Sequence, residues 1–182
     1  TMFHKRNTEK CRGRWAGYGN KTGVKIPCKW NVASTFNKVR ITGGEPFARK
    51  WCLEFLENLK TNVNVENLFI TTNGVETAHY LDRLCDIRIS GINLSIDSLE
   101  RSRFHAITGK DRFNEVLNTL YGTLERNIPL KINSVVTSKT LDEDLVHLAN
   151  LTKTYSLQVR FIEYMPFSGG RNKSLFKKES LN

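Results

Sequence analysis

The residues able to do chemistry recur at the ends of short apolar runs. Lys38-Val39-Arg40-Ile41-Thr42 leads into Gly43-Gly44-Glu45-Pro46, and the run Leu68 to Thr72 ends in Thr71-Thr72-Asn73-Gly74. Gly91 to Ile96 delivers Asn93, Ser95 and then Asp97; Leu130 to Val136 carries Lys131, Asn133 and Ser134; Val159 to Tyr164 carries Arg160 and Glu163 ahead of Met165-Pro166. Arg40 and Lys131 lie inside strand-like runs, where an unpaired charge is costly to bury, so they must face acids or an anionic ligand such as a polyphosphate. Gly43-Gly44 has no Cβ to hold a ligand away, Pro46 stops the run, and Glu45 offers an acceptor. A Gly-Gly pair alone also serves as an ordinary tight turn between strand and helix. The residues by themselves therefore point to a site for an anion and an amino-acid-like cofactor.

Those residues need a scaffold, and the intervening sequence supplies one. Cys52, Phe55, Leu56 and Leu59 recur at helical spacing, as do Phe113, Val116, Leu117, Leu120 and Leu124; Thr140 with Glu143 reads as a capping box ahead of Leu145, Leu148 and Leu151. Short β-rich runs alternating with amphipathic helices predict an α/β fold of β-α units around a parallel sheet. Five strands are too few for a closed eight-stranded barrel, so residues 37–167 are expected to form a partial (β/α) barrel. Ligands of such sheets gather beyond the carboxyl ends of the strands, where the polar residues fall. Residues 1–36 show no apolar period and read as an irregular basic segment, with Trp15, Tyr18 and Trp30 isolated among charges. Residues 168–182 read as a short basic tail at the start of a missing carboxy-terminal region.

The formal net charge of +10 is concentrated, because residues 1–40 hold ten Lys and Arg against the single acid Glu9. The basic balance thus describes the amino-terminal segment rather than the folded body. Cations interleaved with aromatics there raise a nucleic-acid role, ranked last because the segment has no recognisable fold. A basic, acid-poor start also suits a transit peptide, but Ser34 is its one serine and its apolar face is poor. No run of about 18 apolar residues occurs, which excludes a membrane-spanning helix. Cys11, Cys28, Cys52 and Cys85 are never closer than seventeen positions, which argues against a C-x-x-C metal pair and for a reduced, intracellular setting. Cys52 and Cys85 fall in helical apolar patterns and are expected as small buried hydrophobes.

Val39 to Pro46 (VRITGGEP), Thr71 to Gly74 (TTNG), Gly91 to Leu99 (GINLSIDSL), Phe104 to Gly109 (FHAITG) and Arg160 to Pro166 (RFIEYMP) occur in that order. Together they resemble the GTP 3',8-cyclase family of molybdenum cofactor synthesis, which are radical S-adenosylmethionine (SAM) enzymes. The resemblance implies a radical-SAM-type barrel that converts GTP to (8S)-3',8-cyclo-7,8-dihydroguanosine 5'-triphosphate. It implies SAM contacts from Gly43, Gly44, Glu45, Ser95 and Met165, the last beside the adenine, and GTP contacts from Arg40, Thr71 and Lys131; two cations near a triphosphate make electrostatic sense. In this family a reduced [4Fe-4S] cluster cleaves SAM, and the resulting radical takes hydrogen from the GTP ribose. The setting implied is intracellular, the mitochondrial matrix in a eukaryote.

Such a cluster requires three thiolates in C-x-x-x-C-x-x-C, leaving one iron open to SAM. The best local match, Thr8 to Tyr18, keeps Cys11 but places Trp15 and Tyr18 at the next two positions. Cys11 is then the remnant metal ligand, and adding Cys28 still leaves the site one thiolate short. The sequence thus predicts ligand sites without a complete cluster. Three origins fit: a truncated or misread gene product, which is preferred, a pseudoenzyme that binds GTP or SAM, or a fragment completed by another polypeptide. Open sheet edges also predict oligomers or aggregation.

Overall fold

A computed structural model describes residues 37–61 and 65–165. Its elements run β1 (Lys38–Ile41), α1 (Cys52–Thr61), β2 (Asn67–Thr72), α2 (Leu81–Asp86), β3 (Gly91–Ser95), α3 (Arg101–Thr108), α4 (Phe113–Glu125), β4 (Leu130–Val136), α5 (Asp142–Thr154) and β5 (Leu157–Glu163). The strands form one five-stranded sheet in the order β1-β2-β3-β4-β5, and every adjacent pair is parallel. This is the α/β half-barrel expected from the alternation of short β-rich runs with helical stripes. All five strand runs hold, with β5 starting two residues before Val159 because Leu157 pairs with Leu130.

The register explains how the sheet presents two chemically different faces. Ile41, Ile70, Ile92, Leu130 and Leu157 form one cross-strand row, and Thr72, Leu94, Ile132 and Val159 the next. Side chains alternate along a strand, so these rows share the face that the helices cover. Leu68, Ile70, Leu94 and Ile132 there are fully buried, as are Leu56 of α1, Val116 and Leu120 of α4, and Leu148 of α5. The helical stripes read from Cys52 and Phe113 onward are thus the core-facing stripes.

Three local readings need correction. The helix start lies one residue past Thr140: Leu141 is the N-cap of α5, and the Asp144 carboxylate accepts from the Leu141 N–H at 3.4 Å. Thr140 is engaged elsewhere, its hydroxyl accepting from the Thr137 N–H at 2.9 Å. Cys85 is exposed, whereas Cys52 is buried as expected. Cys85 belongs to the six-residue helix α2, whose buried positions are Leu81 and Leu84, so the next residue turns outward. FHAITG proves to be the second half of α3 and its stop. Phe104 is buried against the Phe113 ring at 5.5 Å, and Gly109 (φ 68) closes the helix by donating from its N–H to the His105 carbonyl.

The exposure of Cys85 gives a direct test. Cys85→Ser is expected to leave stability within about 0.5 kcal/mol and to remove one fast-reacting thiol from the native protein in a titration with a disulfide reagent. Cys52→Ser should remove none of the fast-reacting thiols.

Candidate functional site

The opposite face of the sheet is polar and cationic. Its rows follow from the same register: Arg40 opposite Phe69 and Gly91; Thr71, Asn93, Lys131 and Gln158 in line; Ser95, Asn133 and Arg160 next; and the apolar pair Val135 and Ile162 nearest the carboxyl ends. Neighbouring strands lie about 4.8 Å apart, so Thr71 and Lys131, separated by β3, stand roughly 10 Å apart across the row. Arg40 sits one strand and two residues from Thr71, with its guanidinium 5.3 Å from the Phe69 ring centre. The structure therefore brings Arg40, Thr71 and Lys131 onto one surface.

No residue in these rows carries a carboxylate. Among the described residues, Arg40, Lys131 and Arg160 also make no ion pair. Arg40 and Arg160 are exposed on the edge strands and Lys131 is half-buried between them, so the three unpaired charges give this face a positive potential.

The turn after β1 lies at the same end of the sheet. Gly43 (φ 106) and Gly44 (φ 48) are left-handed, and a Cβ at either would meet none of the described residues within 4 Å. Glycine backbone without a Cβ there lets a ligand approach the main chain closely. The acceptor offered by Glu45 is engaged within the chain. One carboxylate oxygen accepts from the Thr72 hydroxyl at 2.7 Å and the Phe47 N–H at 3.3 Å, and the other accepts from the Asn73 N–H at 2.7 Å. Glu45 thus straps the glycine turn to the end of β2. Ser95 is exposed at the end of β3, and Met165, at 75% exposure, stands beyond β5.

Sequence reasoning placed Asn93, Asn133 and Arg160 among the polar strand residues but gave none of them a ligand. Asn93 is only 1% exposed; it donates from Nδ2 to the Thr71 hydroxyl at 3.2 Å, and its Oδ1 accepts from Arg160 at 3.5 Å. The Asn133 side-chain oxygen is buried with no partner among the described residues. The available signal was strand alternation: Asn93 and Ser95, Lys131 and Asn133, and Gln158 and Arg160 are each two apart. Close by, the Asp97 carboxylate accepts from the Val135 N–H at 2.7 Å. Burial pushes its carboxyl above the usual aspartate range, with that hydrogen bond opposing.

The described residues do not fit an iron-sulfur cluster. They contain no group of three His, Cys, Asp or Glu placed to hold a metal. Cys52 is held neutral, its thiol pushed up to about 11 chiefly by burial and next by the Glu45 carboxylate. Cys85 lies on α2, in the helical layer. The expected remnant ligand Cys11, together with Cys28, Trp15, Tyr18 and Trp30, lies outside the described residues. So do the basic segment and the 168–182 tail.

Taken together, the fold and the site define a parallel β/α half-barrel with a cationic row on the face opposite the helices, and the Asp97 and Glu45 carboxylates at its carboxyl-end rim. The model of the Radical SAM superfamily matches residues 30–152, and the chain belongs to that superfamily. Molybdenum cofactor biosynthesis protein 1 of Homo sapiens is 33% identical over 94% of this chain. The mitochondrial GTP 3',8-cyclase of Arabidopsis thaliana is 34% identical over 76% of it, and the GTP 3',8-cyclase of Heliobacterium modesticaldum 34% over 75%. These names agree with the resemblance carried by VRITGGEP through RFIEYMP. The chain spans only 29%, 36% and 42% of those relatives' own lengths.

Among solved structures, Streptococcus suis SuiB bound to S-adenosylmethionine superposes with a TM-score of 0.62 at 20% identity, covering 72% of this chain and 30% of that one. A radical SAM methyltransferase from Sphaerobacter thermophilus gives 0.61 at 16%, covering 78% and 45%. At these identities the likeness concerns the fold. Among the described residues, no helix is long and apolar enough to cross a membrane.

Proposed function

We propose that this chain is the nucleotide-binding and SAM-binding barrel of a GTP 3',8-cyclase acting in molybdenum cofactor synthesis, with residues 37–167 as the barrel. The observation that carries the reading is the face opposite the helices, where Arg40, Lys131 and Arg160 stand without counter-charge around Thr71 and Asn93. A triphosphate supplies the negative charge and the acceptors that such a surface lacks. GTP would lie against Arg40, Thr71 and Lys131. SAM would take the glycine turn at Gly43, Gly44 and Glu45, the Ser95 hydroxyl at the mouth, and Met165 beside its adenine. The family's cluster would supply the electron that cleaves SAM; nothing among the described residues would hold it. An intracellular setting fits, and the Arabidopsis relative is a mitochondrial protein by name.

The experiment is direct titration of GTP into the full chain. Arg40→Ala and Lys131→Ala are each expected to weaken GTP binding about tenfold or more, since a hydrogen bond to a charged group contributes about 1.5–3 kcal/mol. Affinity unchanged in both variants removes the GTP reading.

A second reading, a pseudoenzyme that binds nucleotide or SAM without cleaving it, is favoured by one sequence observation. No C-x-x-x-C-x-x-C occurs anywhere in the 182 residues. Iron and sulfide content after anaerobic reconstitution separates the two: no iron supports the binding module, whereas about four irons per chain restore the enzyme.

A further inference from the structure

We infer that Asn93 is a positioning residue that turns the Thr71 hydroxyl into a hydrogen-bond donor toward the anion cradle while holding Arg160 against the same site. The inference rests on the proposed anion-binding role of this face and deepens it. It follows from which groups can donate. Arg160 has five N–H donors and no acceptor, so the Asn93 atom facing it at 3.5 Å must be the amide oxygen. The other end of the amide, facing Thr71 at 3.2 Å, is then the NH2 group. A threonine hydroxyl can donate or accept; with Asn93 donating to it, its oxygen is the acceptor and its own hydrogen is free to point elsewhere.

Asn93 is buried to 1% exposure on the middle strand, so solvent does not compete for its amide. The hydroxyl hydrogen of Thr71 has no acceptor among the described residues. Lys131, next in the same row, adds a second donor. The face therefore presents three donors, Thr71, Lys131 and Arg160, with Asn93 setting the direction of the first and the place of the last, beside the Asn133 amide oxygen, unpartnered among the described residues. Phosphate oxygens, which accept only, are the matching ligand chemistry.

The test is a double-substitution cycle on the full chain, titrating both GTP and inorganic tripolyphosphate into the wild type, Thr71→Val, Asn93→Ala and the pair combined. Each single variant is expected to bind either ligand about tenfold more weakly, and the combined variant to bind no more than about twentyfold more weakly, well short of the hundredfold product, because Asn93 acts in part through Thr71. A general loosening of the fold would give losses that multiply. Wild-type affinity in Asn93→Ala, or fully multiplicative losses, overturns the inference. Should Asn93→Ala fail to fold, the same cycle with Asn93→Asp decides it. That side chain has the same shape but presents only acceptors when ionised, so it should reverse the Thr71 hydroxyl and weaken both ligands at least as much. Wild-type binding of tripolyphosphate but not GTP would strike out the GTP reading and leave this inference standing; binding of neither would overturn both.

Discussion

Arg103→Ala is expected to destabilise the protein by about 3 kcal/mol at neutral pH, the low end for leaving one member of a buried ion pair without its partner. Asp144 on α5 is only 3% exposed, and Arg103 on α3 reaches it through Nε at 3.3 Å and an Nη at 3.1 Å. The same guanidinium also donates to the Lys139 carbonyl at 2.8 Å, so one side chain ties α3 to the segment entering α5. Burial is the largest influence on the Asp144 carboxyl and raises its pKa. Hydrogen bonds from Ser98, Arg103 and the Leu141 N–H together outweigh burial, and the net direction is down.

The sign of the pH dependence follows. A carboxyl whose folded value is lowered binds fewer protons in the folded than in the unfolded state, so its contribution is present above the unfolded value of about 4 and is lost as pH falls through the folded one. Without Arg103, burial acts with less opposition and that contribution shrinks or reverses. The stability gap between wild type and Arg103→Ala should therefore be widest near neutral pH and narrow below about pH 4, as read from denaturant melts across that range. A gap independent of pH would mean that the loss comes from packing of the arginine stem and not from the charge pair.

Gly74→Ala is expected to cost about 3 kcal/mol, by two additive routes. Gly74 follows β2 with φ 82, a conformation that costs an L-residue roughly 1–2 kcal/mol. A Cβ there would stand 2.5 Å from Leu94 Cδ1 and 3.4 Å from Val116 Cγ1. Both neighbours are fully buried, so neither can swing away, and overpacking of this kind adds about 1–3 kcal/mol. The Gly74 carbonyl accepts from the Thr119 hydroxyl at 2.6 Å and its N–H donates to the Thr72 hydroxyl at 3.0 Å. Displacing the turn would therefore disturb Thr72, and with it the Glu45 strap. Denaturant unfolding measures the loss, and SAM and GTP titrations on the folded fraction should both weaken. A neutral outcome would show that α4 can move away from the sheet.

The sequence alone determined the elements and their order, because strand alternation and helical apolar stripes are local patterns with different periods. The five strand runs, the stripe from Phe113 to Leu124 and the polar strand ends were all legible in that way. So was the family, from short motifs kept in order. Tertiary structure decided which polar residues belong together. Thr71 and Lys131 are sixty positions apart and share a row only because parallel pairing through β3 sets their register. Asn93 and Arg160 stood in the sequence among the polar strand residues, but nothing along the chain gave either a role. Asn93 is buried on the middle strand, and Arg160, exposed on the edge strand β5, reaches its amide oxygen across β4. Glu45 read as a free acceptor because its three donors come from the next turn and a neighbouring strand end. Cys85 read as buried because a six-residue helix has too few turns for its period to show which way one residue faces. Periodicity is written along the chain, whereas hydrogen-bond direction and charge compensation depend on residues that only folding brings within about 3 Å.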